Sequence, residues 1–286
     1  MNYRHAYHAG NFADVFKHTV LIILLAALKR KPTPWCYFDS HAGAGLYDLQ
    51  GSEARRGGEA AGGIHRLWPL RAVAPVPVAE LCSAVAAVNP GLPADALPRF
   101  YPGSPLIAAG RARPQDRLVL AERRSDEAQL LRTHLRRDAS AAIHARDGYE
   151  MLKALTPPAE RRGLVLLDPT FEQPTEFVRM LQVLRVMHGR WPEGVCALWY
   201  PRKDEPAAQR FERELLRLKP CRMLRAEFHI APAHTPGFCA CNMVLINPPW
   251  QSEQLMKISL AFLRDALAPQ VGSYGLRWLA TSTVDK

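Results

Sequence analysis

No apolar stretch in these 286 residues is long enough to cross a bilayer. The longest, Val20 to Leu28, is nine residues. That is about 14 Å of helix at ~1.5 Å per residue, against the roughly 20 residues a membrane core requires. The sequence before this run carries Asp14 and reads as structured rather than as a secretory leader, so a cytoplasmic protein with no membrane partner is expected. Cysteine is sparse and scattered: Cys36, Cys82, Cys196, Cys221, Cys239 and Cys241. Cys239-Ala-Cys241 lacks a second Cys or His pair at zinc spacing, and core thiols without a metal are the expectation. Also missing are the G-x-G-x-x-G of a dinucleotide fold and the Gly-Lys-Ser/Thr of a phosphate loop. Acidic residues are the minority, 27 against 37 Lys and Arg, giving a formal charge of +10. That surplus suits a polyanionic partner.

With 48% hydrophobic and 22% charged residues, the chain can bury a sizeable core. Short apolar runs alternate with helical patterns near 125–137, 149–155, 174–188, 205–218 and 252–267. The runs are Trp35–Phe38, Leu118–Ala121, Ala141–Ala145, Leu164–Leu167, Val195–Tyr200 and Met243–Ile246. Nearly all-apolar strands separated by helices predict an α/β fold, a parallel sheet covered on both faces. Four successive runs end at or just before an acid: Asp39, Glu122, Asp147 and Asp168. Ligands of such sheets bind beyond the strands' carboxyl ends, so four acids there point to one site on one edge. The interval 46–102 breaks the rhythm. Between Pro69 and Pro105 lie eight of the 24 prolines, which predicts an inserted subdomain of short helices and turns. The remaining domain is then 1–45 with 103–286.

After the first strand comes Asp39-Ser-His-Ala-Gly-Ala-Gly45, whose glycines let backbone approach a ligand. Glu122 suits a ribose diol, and Asp147-Gly148 an adenine amine. Together they are the parts of an S-adenosylmethionine site, and a cofactor without phosphate explains acids in a basic protein. Asp168-Pro169-Thr170-Phe171 closes the fourth strand and is close to the Asp-Pro-Pro-Tyr signature of amino methyltransferases. An exocyclic amine has its lone pair delocalised into the base. The Asp168 carboxylate and the Pro169 carbonyl can grip its N–H bonds and localise that pair, while Phe171 stacks on the base. Asn247-Pro-Pro-Trp250 is a second tetrad of the same type. Its distance from the glycine loop favours a turn at the sheet's far edge.

The N-terminus, Tyr3-Arg-His-Ala-Tyr-His-Ala-Gly-Asn-Phe-Ala-Asp-Val-Phe-Lys-His18, forms no helical stripe, yet its aromatics and Ala-Gly-Asn argue for order. Asp14 can begin the helix carrying Lys17 and His18. Taken with DxHAGAG at 39–45, YPGSP at 101–105, RRGLVLLDPxxE at 161–172, ALWYP at 197–201 and INPPW at 246–250, the chain resembles the bacterial RlmJ family over nearly its whole length. That family methylates N6 of one adenine in 23S ribosomal RNA, adenine 2030. The resemblance implies a Rossmann-like class I methyltransferase using S-adenosylmethionine, with a small helical insertion after the first strand. It implies that His18, His41, Gly43, Ser104, Glu122, Asp147, Gly148 and Asp168 contact the methyl donor and that Asp168 is catalytic. Tyr3, His5 and Lys17 would form a mobile motif closing over cofactor and target adenine. The family's tetrad has Pro and Tyr where this chain has Thr170 and Phe171. Phe171 keeps the ring and loses the phenol, and activity is expected to survive.

A paired N6 amine is out of reach, so the target must be unpaired or flipped out. Arginines at 111–146, nine against five acids, and the basic run at 202–225, eight against four, are candidates for phosphate contact or simply solvated helix faces. Arg123 and Arg124 are expected near the site's rim, and the protein is expected to act as a monomer. A DNA adenine methyltransferase is disfavoured by the missing recognition domain. A noncatalytic RNA-binding protein is supported only by Thr170 and Phe171.

Overall fold

The computed structural model of the chain describes residues 4–136, 138, 140–232 and 235–281. Its first long element is helix α1, Phe12–Lys29. The Asn11 side chain caps it by accepting from the Asp14 N–H at 2.9 Å. The helix therefore starts ahead of Asp14, which sits in its first turn. Apolar residues occur all round α1, and a helix of that kind belongs in a core. Only Ala26 and Lys29 of its 18 residues escape full burial.

Ten strands follow. They are β1 Cys36–Asp39, β2 Leu46–Asp48, β3 Phe100–Pro102, β4 Arg117–Ala121, β5 Ala141–His144, β6 Gly163–Leu167, β7 Val195–Pro201, β8 Met223–His229, β9 Ala240–Ile246 and β10 Ser273–Ala280. Eight form one sheet in the order β10-β8-β9-β7-β6-β1-β4-β5. The five strands from β7 to β5 are parallel. β9 runs against both β7 and β8, and β10 runs against β8. The sheet is thus mixed rather than wholly parallel. The chain enters at its middle, builds outward through β4 and β5, and returns to the other side of β1 with β6. That reversal opens a crevice between the carboxyl ends of β1 and β6. This is a Rossmann-like class I methyltransferase fold.

Strand side chains alternate between two apolar layers, as period-2 geometry requires. Tyr37, Leu118, Leu164 and Ala197 face α1. Phe38, Val119, Val165 and Leu198 face the opposite layer. Helices α2 Ser52–Gly57, α3 Ile64–Leu67 and α4 Val76–Ala87 lie between β2 and β3. Of these, α3 and α4 pack in the α1 layer through Ile64, Leu67, Val78 and Leu81. Then come α5 Ser104–Ala109, α6 Ser125–His134, α7 Gly148–Leu155, α8 Glu176–Arg190, α9 Glu205–Leu216 and α10 Ser252–Leu267. Helices α7, α8 and α9 cover the second face, while α10 joins α1. β2 and β3 pair antiparallel, Leu46 opposite Pro102, and Gly103 N–H donates to the Gly45 carbonyl at 2.7 Å. Among the described residues no single helix is long and apolar enough to cross a membrane.

Candidate active site

A cavity of about 440 Å³ opens at the carboxyl edge, over β1 and β6. Its floor is made by the loops after β1, β4 and β5. Gly43 adopts φ +61, a left-handed conformation that favours glycine. Its N–H donates to Glu122 at 2.9 Å, and Arg124 N–H donates to the other Glu122 oxygen at 2.7 Å. Burial raises the Glu122 carboxyl above its ordinary range, against the pull of these two amides. Asp147 caps α7, accepting from Tyr149 N–H at 2.9 Å and from Arg179 at 2.5 Å. Those donors outweigh its burial and hold it below the usual carboxylate value. Beside it, a Cβ on Gly148 would lie 1.9 Å from the Ser40 carbonyl, so only glycine lets α7 seat against the β1 loop.

Three of the four strand-tip acids line the cavity: Glu122, Asp147 and Asp168. Asp39 does not face it. It lies wholly buried below the floor, accepting from Tyr37 at 2.8 Å and Ser104 at 2.7 Å, while His41 N–H reaches its other oxygen at 3.2 Å. Burial pushes its carboxyl up to about 6. Asp39 therefore acts on the cavity through Ser104 and His41, which do line it. Burial also drives the His41 imidazole down to about 4. His18, against the Tyr101 hydroxyl at 2.8 Å, is driven by burial to about 3. Both rings stay neutral near pH 7.

The wall is built by the N-terminal segment and by β6. Lys17 Nζ lies 2.5 Å from Asp168 Oδ2 and 2.9 Å from Asp14 Oδ1. Burial opposes its charge, but the two carboxylates prevail and hold it above the ordinary lysine value. Asp14, 1% exposed, also faces His5 Nε2 at 2.9 Å and accepts from Gly10 N–H at 2.9 Å. His5 and Lys17 push it well below its usual value against its burial. Asn11 and His8 both reach Glu59, and Ile64 N–H donates to the Gly10 carbonyl, so the segment is tied to the 52–64 stretch. After Asp168 the backbone passes Pro169 and Thr170 and turns left-handed at Phe171, φ +53. The Phe171 ring stands edge-on to Phe177 and Trp199, and Trp199 stands edge-on to Phe238. Lys17 and Lys203 approach Trp199 and Phe238 at 5.8 and 5.7 Å.

Thus His5, Lys17, His18, His41, Gly43, Ser104, Glu122, Asp147, Gly148, Asp168, Pro169 and Phe171 all border one cavity. Tyr3 lies outside the described residues. Arg123 and Arg124 also line it. Sequence reasoning passed over Arg179, Trp199 and Phe238, gave Asp14 only the start of a helix, and held Lys203 only within the basic run 202–225. Asp14 and Trp199 stood inside motifs already singled out, whereas Arg179 and Phe238 carried no local signal. Several members of the basic runs are spent internally: Arg113 pairs with Asp116, Arg117 with Glu160, Arg202 with Glu227 and Arg225 with Glu212. The second tetrad sits elsewhere. Ile246 pairs with Cys196 and Met223, near the starts of β7 and β8, so Asn247 emerges at the edge opposite the cavity. β9 lies inside the sheet, so this turn is not at a lateral edge.

The family described as ribosomal RNA large subunit methyltransferase D, RlmJ, matches residues 32–280. Two relatives bear the name ribosomal RNA large subunit methyltransferase J. The one from Escherichia coli (strain K12) is 37% identical over 98% of this chain and 99% of its own length. The one from Haemophilus influenzae is 35% identical over the same shares. A crystal structure of a Legionella pneumophila protein superposes with a TM-score of 0.88 at 31% identity, covering 97% of this chain and 99% of that one. A match of this extent in both sequence and fold means that the chain belongs to the RlmJ family.

Proposed function

We propose that this protein transfers a methyl group from S-adenosylmethionine to N6 of one unpaired or flipped-out adenine in 23S ribosomal RNA, adenine 2030 by its family's position. The observation that carries this reading is the meeting of Asp168, Pro169 and an aromatic wall with Lys17 at the switch point of the sheet. The relatives' names supply the large-subunit RNA, and the adenine comes from the chemistry of the tetrad.

The residues fit the donor. Each Glu122 oxygen has one backbone partner and capacity for another, which suits ribose hydroxyls. Asp147 and the loop at Gly148 border the space an adenine would take, and neutral His18 and His41 add no charge to repel a sulfonium. When bound, the donor supplies an electrophilic methyl on sulfur. Asp168 and Pro169 accept the two N–H bonds of the target amine, returning its lone pair to nitrogen. Phe171 and Trp199 hold the base flat and exclude water. Lys17, clamped by Asp14, fixes the Asp168 carboxylate, so most of the acceleration is positional. We assign 46–102 as an inserted subdomain that braces the N-terminal segment through Glu59 and Ile64.

Purified protein with labelled methyl donor should modify protein-free 23S rRNA from cells lacking the enzyme, with N6-methyladenosine found by mass spectrometry. Transfer to duplex DNA but not to RNA would overturn the substrate.

A further inference from the structure

The Asn247-Pro-Pro-Trp250 turn is left unused by the chemistry above, yet it is built with care. Asn247 is left-handed, φ +52, and its amide donates to the carbonyls of Pro192 at 2.6 Å and Gly194 at 3.1 Å. Two prolines follow, and Gln251 is again left-handed at φ +67. Gln251 accepts from Arg30 at 2.9 Å, which ties the turn to the end of α1. What this stiff turn presents is Trp250, 71% exposed. Exposing an indole forfeits its burial, and Gln251 holds a left-handed conformation that a long side chain rarely adopts. Neither outlay serves the core.

Trp250 borders a second cleft of about 240 Å³ with Pro249, Arg222 and Trp278. Arg222 lies 4.8 Å from the Trp278 ring centre, and the Trp278 indole N–H donates to Glu253 at 2.8 Å, which occupies that acid. Arg30 is flanked by Lys29 and Lys31, all three exposed. Exposed Glu193 also lies beside the turn, next to Pro192 and Gly194, against the four basic residues Lys29, Arg30, Lys31 and Arg222. A flat aromatic face with guanidinium and ammonium groups around it is the composition of a single-stranded nucleic-acid platform.

We infer that the Trp250 turn is a second RNA contact, at which an unpaired base stacks on Trp250 while Arg222, Lys29, Arg30 and Lys31 meet the neighbouring phosphates. It rests on the reading that the protein acts on RNA. The seven residues of β7 span about 20 Å at ~3.3 Å each, so this contact is remote from the target adenine. It adds affinity without touching the reaction.

The test uses the full chain and protein-free 23S rRNA. Trp250→Ala should raise KM for the RNA about tenfold, the factor given by about 1.4 kcal/mol of base stacking. Its kcat at saturating RNA and its affinity for the methyl donor should stay at wild-type values, and Trp250→Phe should restore most of the loss. Arg222→Gln should shrink the salt dependence of RNA binding by about one phosphate contact. Wild-type KM in Trp250→Ala, with wild-type transfer intact, overturns this contact alone. A wild-type dimer that Trp250→Ala splits into monomers also overturns it, because the face then belongs to a second copy. Wild-type protein that neither binds nor methylates the RNA overturns the earlier reading with it.

Discussion

The chain carries two tetrads of one design. Asp168-Pro-Thr-Phe171 and Asn247-Pro-Pro-Trp250 both follow apolar strands, both contain a left-handed non-glycine residue, and both end in an aromatic ring. They differ in strand direction. β6 runs with the parallel set and delivers Asp168 to the cavity, where Lys17 meets it. β9 runs against its neighbours and delivers Asn247 to the other edge, where its amide is spent on two carbonyls. The lesson is that a tetrad's chemistry depends on which edge its strand opens onto and on what charge waits there.

The sharpest way to break that contrast is Asp168→Ala. Transfer should fall on the order of 1000-fold, with methyl-donor binding by calorimetry largely kept. Full activity would move the chemistry elsewhere, and Asn247 would be next. Lys17→Met removes the partner of Asp168 while leaving Asp14 buried, and kcat should drop on the order of 100-fold. Unchanged kinetics would remove Lys17 from the wall's function. Asn247→Ala should leave kcat intact but cost about 2 kcal/mol in urea denaturation, from two lost hydrogen bonds and a left-handed alanine. Asn247→Gly should recover the backbone share.

The smallest effect, taken per pH unit, is electrostatic. The cavity edge holds buried histidines, whereas no side chain of Asn247-Pro-Pro-Trp250 titrates. A His whose folded pKa lies below its unfolded 6.5 stabilises the fold above pH 6.5, and that stability is lost as pH falls. His18 stays neutral in the fold down to about pH 3. Between pH 6 and 4 it should therefore remove about 1.4 kcal/mol of stability per pH unit. His18→Gln should flatten the slope of urea stability against pH by that amount, whatever it does to stability at pH 7. An unaltered slope would show that His18 titrates freely.

The six strands expected from apolar runs all exist, and the helices expected at 125–137 and 252–267 are found at Ser125–His134 and Ser252–Leu267. Buried parallel strands advertise themselves because both faces must be apolar. β8 does not, since Arg225 and Glu227 alternate with its buried residues and meet their ion partners. β10, at the sheet's margin, has no buried residue, and its Tyr274, Leu276 and Trp278 alternate with Ser273, Gly275 and Arg277. The reversed sense of β9 was invisible as well, because strand direction is decided by tertiary pairing and leaves no mark on composition. At the cavity, Glu122, Asp147 and Asp168 could be read from strand ends. Asp39 could not be told from them, because its burial depends on Tyr37 and Ser104, the latter 65 residues away.

The Gly45–Gly103 hydrogen bond has a consequence for how this chain could be cut and rejoined. Measured along its path, the stretch from 46 to 102 leaves and returns at touching residues, and a short splice could close the sheet without it. Measured by packing, the same excision would strip Ile64, Leu67, Val78 and Leu81 from α1 and bare a helix that is apolar on every side. A truncated gene would thus encode a topologically complete protein whose central helix is driven to aggregate. Length can drift at the tips of this stretch, but its inner face is held to the same constraint as the sheet.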